Sequence, residues 1–117
     1  MLDDLIKKYP KIFDDDLFYG LEVNEGWHDL LDKLCGDIQF YCDNNDFLQV
    51  RAIQVKEKFG ALRFYCTPAP DEVYNMIDEA ERKSTTICET CGKSGNRRGK
   101  SWLYTACDEH TKESDRE

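Results

Sequence analysis

The sequence lacks the features that mark several large classes of protein. No stretch approaches the roughly 18 consecutive apolar residues that a membrane-spanning helix needs. The first residues, Met1 to Asp4, lack the basic-then-apolar layout of a secretory signal peptide. We therefore expect a cytoplasmic protein with no membrane partner. In that compartment its six cysteines are expected to be reduced, which favours metal ligation or burial over disulfides.

The sequence also has little positive charge, and that charge is unevenly placed. The chain has 117 residues and a formal charge of -8, which argues against a protein that coats nucleic acid with its whole surface. Residues 1–81 hold 18 acidic and 8 basic residues, whereas residues 82–117 hold 6 and 8. The change falls at a polar connector, so we predict an acidic body over residues 1–83 and a separate module over residues 84–117.

Apolar spacing predicts the elements of the body. A short helix covers residues 2–9, and residues 27–41 form the strongest helix, with apolar positions at intervals of four and three and Asn24 as N-cap. Residues 47–56 and 61–66 are predicted strands that turn near Gly60, and the first strand is expected to contain a bulge. Pro70 suits the first position of another helix. The fold class is therefore α+β, a small antiparallel hairpin packed with two or three helices.

The chemistry of the sequence concentrates in two residue pairs near its end. Each pair has two intervening residues, and together they supply three cysteines and one histidine: Cys88, Cys91, Cys107 and His110. A Cys3His set is what tetrahedral Zn2+ prefers. The alternative, a redox-active cysteine pair, needs a βαβ setting that the polar, glycine-rich surroundings do not provide. Because protein fills all four positions, we predict one structural Zn2+.

The residues around these ligands suit a particular kind of zinc module. Gly92 supplies the small residue that a tight turn after the second cysteine needs. Residues 101–105 are predicted as the second strand of a hairpin turning at residues 95–99, and a terminal helix is predicted from Ala106. Residues 86–112 thus resemble a treble-clef zinc finger. Some nucleases share that module, but they need a catalytic histidine beside it, and only the distant His28 remains.

Other residues are candidates for binding anions or a basic partner. The segment of residues 93–100 has four cations and no anions, and an aromatic follows: Lys93, Arg97, Arg98, Lys100 and Trp102. It suits phosphate contacts and base stacking, although a solvated turn is the simpler interpretation. A second set, on the predicted hairpin, suits a small nucleotide: Lys56, Lys58, Arg63 and Tyr65. Asp14, Asp15 and Asp16 offer an acidic surface or simply a solvated loop.

The remaining reactive side chains favour structural roles. Cys35, Cys42 and Cys66 lie on predicted apolar faces and are expected to be buried small hydrophobes. His28 has no obvious catalytic partner nearby in sequence. There is also no phosphate-cradling glycine loop, nucleophile elbow or carboxylate pair. We therefore expect no enzyme.

Three blocks together resemble a known group of proteins. They are the Gly26–Leu31 segment leading to Cys35, the hairpin sequence KEKFGALRFY, and the C-x-x-C-G, Trp102 and CDEH series. This combination resembles small proteins of bacteriophages and prophages that have no established activity. The resemblance implies an accessory factor that acts on a host protein or complex, for example as an antagonist of host defence. The alternative is a nucleic-acid or nucleotide-binding protein that uses the basic hairpin. Neither reading predicts an oligomeric state.

Overall fold

The protein is described here by a computed structural model covering residues 2–14, 17, 20–46 and 48–116. Three α-helices are present in these residues: α1 (Asp3–Lys8), α2 (His28–Asn44) and α3 (Asp71–Ser84). Five strands accompany them: β1 (Leu21–Glu22), β2 (Ala52–Lys58), β3 (Ala61–Cys66), β4 (Asn96–Arg98) and β5 (Tyr104–Ala106). Short 3-10 turns cover Glu25–Trp27, Asp108–His110 and Glu113–Asp115. The predicted α+β class is confirmed.

The larger sheet has the strand order β1-β2-β3. Strands β2 and β3 form the predicted antiparallel hairpin, and the register shifts between Ala52 and Gln54, which confirms the predicted bulge. β2 begins later than predicted, because residues 48–51 precede the strand, and Phe47 lies outside the described residues. β1 pairs with β2 in parallel, an addition that the sequence did not predict. The turn places both Phe59 and Gly60 at positive φ, 57° and 81°.

The core lies between the sheet and the two longer helices. From α2 it takes the residues predicted from their spacing, and Leu31, Leu34 and Ile38 are all buried. Val55 and Leu62 face them from the sheet and are fully buried. Each such side chain stabilises the fold by about 1.5–3 kcal/mol relative to exposure.

Two helix starts differ from prediction. Asn24 occupies the N-cap position of the short 3-10 turn Glu25–Trp27, without a side-chain capping hydrogen bond, and α2 begins only after that turn, at His28. Pro70 is the N-cap of α3 rather than its first helical residue. Both shifts are small, because the extended backbone that precedes a helix suits proline and asparagine as well.

Helix α3 covers the β3 edge of the sheet. The backbone N–H of Leu62 donates to Ser84 Oγ at 2.9 Å, and that of Phe64 donates to Glu81 Oε2 at 2.9 Å. An edge strand otherwise exposes such donors to another chain. The end of α3 is thereby fixed beside the hairpin, immediately before the C-terminal module begins.

The C-terminal module packs directly against the body. Gly26 N–H donates to the carbonyl of Glu89 at 2.8 Å, and the indole N–H of the buried Trp27 donates to the carbonyl of Ile87 at 3.0 Å. Thr105 Oγ1 donates to the carbonyl of Gly60 at 2.6 Å. These hydrogen bonds cross the predicted boundary at residues 83 and 84, so the module and the body are positioned by each other. The division itself stays a prediction.

Candidate metal centre

The first ligand pair lies in a tight knuckle. Gly92 has a φ of 82°, and its N–H donates to the carbonyl of Cys88 at 3.0 Å. The N–H of Cys88 donates to the carbonyl of Lys93 at 2.7 Å, which closes the loop from the other side. A side chain at position 92 would be strained in this left-handed conformation, so the predicted need for glycine is confirmed.

The second ligand pair follows strand β5. Cys107 is the N-cap of the 3-10 turn Asp108–His110, and His110 N–H donates back to its carbonyl at 3.2 Å. The prediction of a terminal α-helix from Ala106 is wrong, because the backbone forms only a single 3-10 turn, Asp108–His110. One turn nevertheless places positions i and i+3 on one side, which is all the two ligands require.

The four predicted ligands come together. Their donor atoms all lie within 4.8 Å of one another. Cys91 Sγ and Cys107 Sγ are 3.7 Å apart, Cys88 Sγ and His110 Nδ1 are 3.6 Å apart, and Cys107 Sγ and His110 Nδ1 are 3.1 Å apart.

This spacing fits one tetrahedral ion. Bonds of about 2.3 Å to sulfur and about 2.0–2.1 Å to nitrogen separate two sulfurs by about 3.8 Å, and a sulfur and a nitrogen by about 3.6 Å. The separations of 3.7 Å and 3.6 Å agree with these values. The shortest separation, 3.1 Å, joins Cys107 and His110, which lie at the two ends of one 3-10 turn. The residues therefore form one candidate metal site, with Nδ1 as the imidazole donor.

The surroundings of the site favour the thiolate form of two of the cysteines, Cys88 and Cys107. Burial acts to raise the pKa of the Cys88 thiol, but hydrogen bonds from backbone N–H groups, including those of Cys107 and Cys91, outweigh it and lower the pKa to about 6. The pKa of Cys107 is also lowered, because its hydrogen bond with His110 outweighs desolvation. The same hydrogen bond raises the pKa of His110. A metal bound here displaces the imidazole proton, so its affinity rises with pH.

A buried carboxylate between the two knuckle cysteines joins the halves of the site. Glu89 Oε2 accepts from the N–H of Thr105 at 2.6 Å, and Glu89 N–H donates to the carbonyl of Thr105 at 3.0 Å. The side chain is 8% exposed, and burial raises its pKa. Sequence reasoning missed this residue, since an acid inside a C-x-x-C motif looks like a solvated loop position.

The basic segment is arranged differently from the prediction. Residues 96–98 form strand β4, so the hairpin turns at residues 99–103 and not at 95–99. Arg98 is half-buried, donates from Nε to the carbonyl of Ala106 at 3.2 Å, and pairs with Asp108 at 2.9 Å. It braces the second ligand turn. Lys93, Arg97 and Lys100 are exposed, and Trp102 is 71% exposed in the loop rather than in a strand.

The four residues proposed for a nucleotide share the outer face of the β2–β3 hairpin. Lys56 lies directly opposite Arg63, and its ammonium is 6.0 Å from the centre of the Tyr65 ring. Lys58 and Arg63, however, line two different cavities. The set is therefore a shared surface that borders two clefts.

One of these cavities is a groove between the tips of the two hairpins. Its volume is about 190 Å³, and we call it the tip groove; it is lined by Glu57, Lys58, Phe59, Ser101, Trp102 and Leu103. Phe59 is 58% exposed. A bulky residue at positive φ is a rare and strained conformation, which often marks a functional position. Sequence reasoning missed the groove because its walls are over 40 residues apart.

The other candidates take structural or surface positions. Cys35 and Cys42 are buried, as predicted, and Cys66 is half-buried. His28 begins α2, with Nδ1 3.0 Å from Asp29 Oδ1. Asp14 is exposed and pairs with Arg51 at 3.2 Å. Asp15 and Asp16 lie outside the described residues.

Comparisons of the chain with protein-family profiles, with curated proteins and with solved structures find no match. Across the described residues, no helix combines the length and the apolar character required to cross a bilayer.

Proposed function

We propose that this chain is a non-enzymatic protein-binding factor built around one structural Zn2+. The single observation that supports it most is the tip groove, where two exposed aromatic residues from separate hairpins, Phe59 and Trp102, line one space. The Cys3His donor set favours zinc, and four protein ligands leave no position for an activated water.

Exposed aromatic side chains at a groove are typical of interfaces. Trp and Tyr are enriched among the residues that dominate binding energy, and large exposed apolar groups on a small protein mark interaction sites. Lys58 and Glu57 at the rim of the tip groove supply the polar border that such interfaces have. The zinc module carries Trp102 and Leu103, so an intact metal site is needed to build one wall.

The resemblance to phage and prophage proteins favours a host protein or complex as the partner, in the bacterial cytoplasm. The acidic region of residues 1–46, with twelve acids and four bases, favours a basic surface on that partner. Such complementarity mainly raises the encounter rate and the specificity. Antagonism of a host-defence protein is one form that this activity would take.

Truncation of the tip-groove tryptophan tests this proposal. Trp102→Ala is expected to weaken binding of a host protein at least 30-fold, because central aromatic contacts contribute about 2 kcal/mol or more. The measurement is affinity capture from host lysate followed by titration with the purified captured protein. Phe40→Ala is the matched control, since Phe40 is also 71% exposed but lies on α2. Equal capture by both variants would count against the tip groove.

A second candidate function, nucleic-acid binding, is favoured by a different observation. Lys93, Arg97 and Lys100 are exposed and form no ion pair with the described part of the chain. Lys100 and the exposed Trp102 lie in the loop that joins β4, which carries Arg97, to β5. Cations of this kind contact phosphates, and an exposed indole stacks on bases.

A salt series tests that second function. If three cations contact phosphates of a single-stranded oligonucleotide, the logarithm of affinity falls with the logarithm of salt with a slope of about -2. Arg97→Ala should make this slope shallower by somewhat less than one. Absence of binding at low salt, or a slope unchanged in the variant, would remove this function.

A further inference from the structure

An open cleft lies where α3, β3 and β4 meet, and three arginines line it. Its volume is about 520 Å³, and Arg63, Arg82 and Arg97 share it with Asp78 and Glu81. We propose that this arginine cleft binds the phosphate group of a small phosphate ester that also carries hydroxyl groups, such as a nucleotide or a sugar phosphate. The proposal does not rest on the protein-binding function.

The cleft exists only because two parts of the chain are docked together. Arg63 comes from the body hairpin, Arg82 from the last turn of α3, and Arg97 from the zinc module. The stem of Arg97 lies against Gly60, since a Cβ built on that glycine would be 3.2 Å from Arg97 Cγ. The bond from Thr105 Oγ1 to the Gly60 carbonyl, at 2.6 Å, holds this approach.

The three guanidinium groups keep donors available to a ligand, although Arg63 Nη1 also donates to the carbonyl of Leu62 at 3.3 Å. None forms an ion pair with a carboxylate of the described residues, although two acids line the same cleft. Arg82 and Arg97 are exposed and Arg63 is half-buried. Guanidinium groups match phosphate oxygens bidentately, which makes arginine the preferred residue for phosphate recognition.

The two carboxylates restrict the kind of ligand. Glu81 is already engaged, because its Oε2 accepts from the backbone N–H of Phe64 at 2.9 Å. Asp78 is exposed one turn earlier on α3 and is free to accept from a ligand donor. Carboxylates repel a polyanion, whereas they accept hydrogen bonds from hydroxyl groups, so a monoester with a polyol or nucleoside part fits better than a bare polyphosphate.

The size of the cleft agrees with such a ligand. Small-molecule sites commonly have volumes of about 300–1,000 Å³. Ala61 also lines the cleft; it is 4% exposed, and its methyl group is too small to fill the space beside the arginines. A phosphate alone would occupy only part of the cleft, which leaves room for the group that Asp78 contacts.

The test is a titration of the zinc-loaded protein, followed by amide NMR at low salt. Adenosine 5′-monophosphate, glucose 6-phosphate, inorganic phosphate and adenosine are the probes. At least one of the two esters is expected to bind more tightly than inorganic phosphate and than adenosine, and to shift the amides of Ala61 and Thr85. The preferred ester then distinguishes a nucleotide from a sugar phosphate.

A matched pair of variants locates the site. Arg82→Gln should weaken binding of the preferred ester about tenfold or more, because it removes a hydrogen bond to a charged group. Lys83→Gln removes the same charge from the next residue, which lines a different groove between α2 and α3, and should leave affinity unchanged. No binding of either ester, or equal losses in both variants, would overturn the proposal.

Discussion

Removal of the metal from the zinc-loaded protein is expected to unfold the C-terminal module and to free it from the body. Residues 84–116 contain few buried apolar side chains beyond Cys88 and Ala106, so the module has almost no core of its own. Metal binding to such segments supplies on the order of 10 kcal/mol of folding free energy. Without it, the knuckle and the turn Asp108–His110 have little to hold their ends together.

A tryptophan in the body reports this unfolding directly. Trp27 is fully buried, and its indole donates to Ile87 at the entry of the module. In a Trp102→Phe background, chelation should shift Trp27 emission to longer wavelength as the indole becomes hydrated. Restoring zinc should reverse the change.

Cysteine substitutions provide the control for the chelation result. Cys91→Ser, which removes a ligand, should give the shifted emission even with zinc present. Cys66→Ser, at a half-buried cysteine outside the site, should behave as the wild type. An emission spectrum that chelation and Cys91→Ser both leave unchanged would show that the module folds without metal.

Among substitutions of a glycine in the body by alanine, Gly26→Ala is expected to destabilise the fold the most. A Cβ at this position would lie 2.1 Å from the carbonyl oxygen of Cys88 and 2.4 Å from the carbonyl oxygen of Glu89. These are backbone atoms of the knuckle, which cannot rotate away. The substitution therefore separates the knuckle from the body and strains the 2.8 Å bond from Gly26 N–H to Glu89.

The expected cost of Gly26→Ala is about 3 kcal/mol or more, the sum of overpacking and a lost hydrogen bond. In a domain of this size that corresponds to a fall of roughly 10 °C or more in Tm. Gly36→Ala is the matched control, because its Cβ meets only the Tyr9 hydroxyl, at 3.2 Å, and alanine favours the α2 helix. Similar Tm values for the two variants would contradict the close docking described here.

The sequence predicted those parts of the fold that depend on local pattern. The spacing of Leu31, Leu34 and Ile38 predicted α2 and its buried face, because a helix long enough to repeat its period carries a clear signal. β1 was not predicted, since its two residues pair in parallel with a strand 30 residues later, and a strand so short has no period. The terminal helix was wrongly predicted for a related reason, as three residues of 3-10 turn look like a helix start.

The candidate sites divide in the same way. The metal ligands could be predicted because each pair is local and the chemistry of cysteine and histidine is specific. The tip groove and the arginine cleft could not be predicted from the sequence. Phe59 meets Trp102, and Arg63 meets Arg97, only because the C-terminal module docks on the body at Gly60 and Gly26. Gly60 was predicted only as a turn residue, and no role was predicted for Gly26. The close packing of both glycines became visible only in three dimensions.

Elemental analysis of the purified, folded protein measures whether the Cys3His site holds a metal. We expect one zinc per chain, retained through gel filtration and lost in the Cys91→Ser variant but not in Cys66→Ser. A folded wild-type protein with a zinc content near zero and no other bound metal would contradict this expectation.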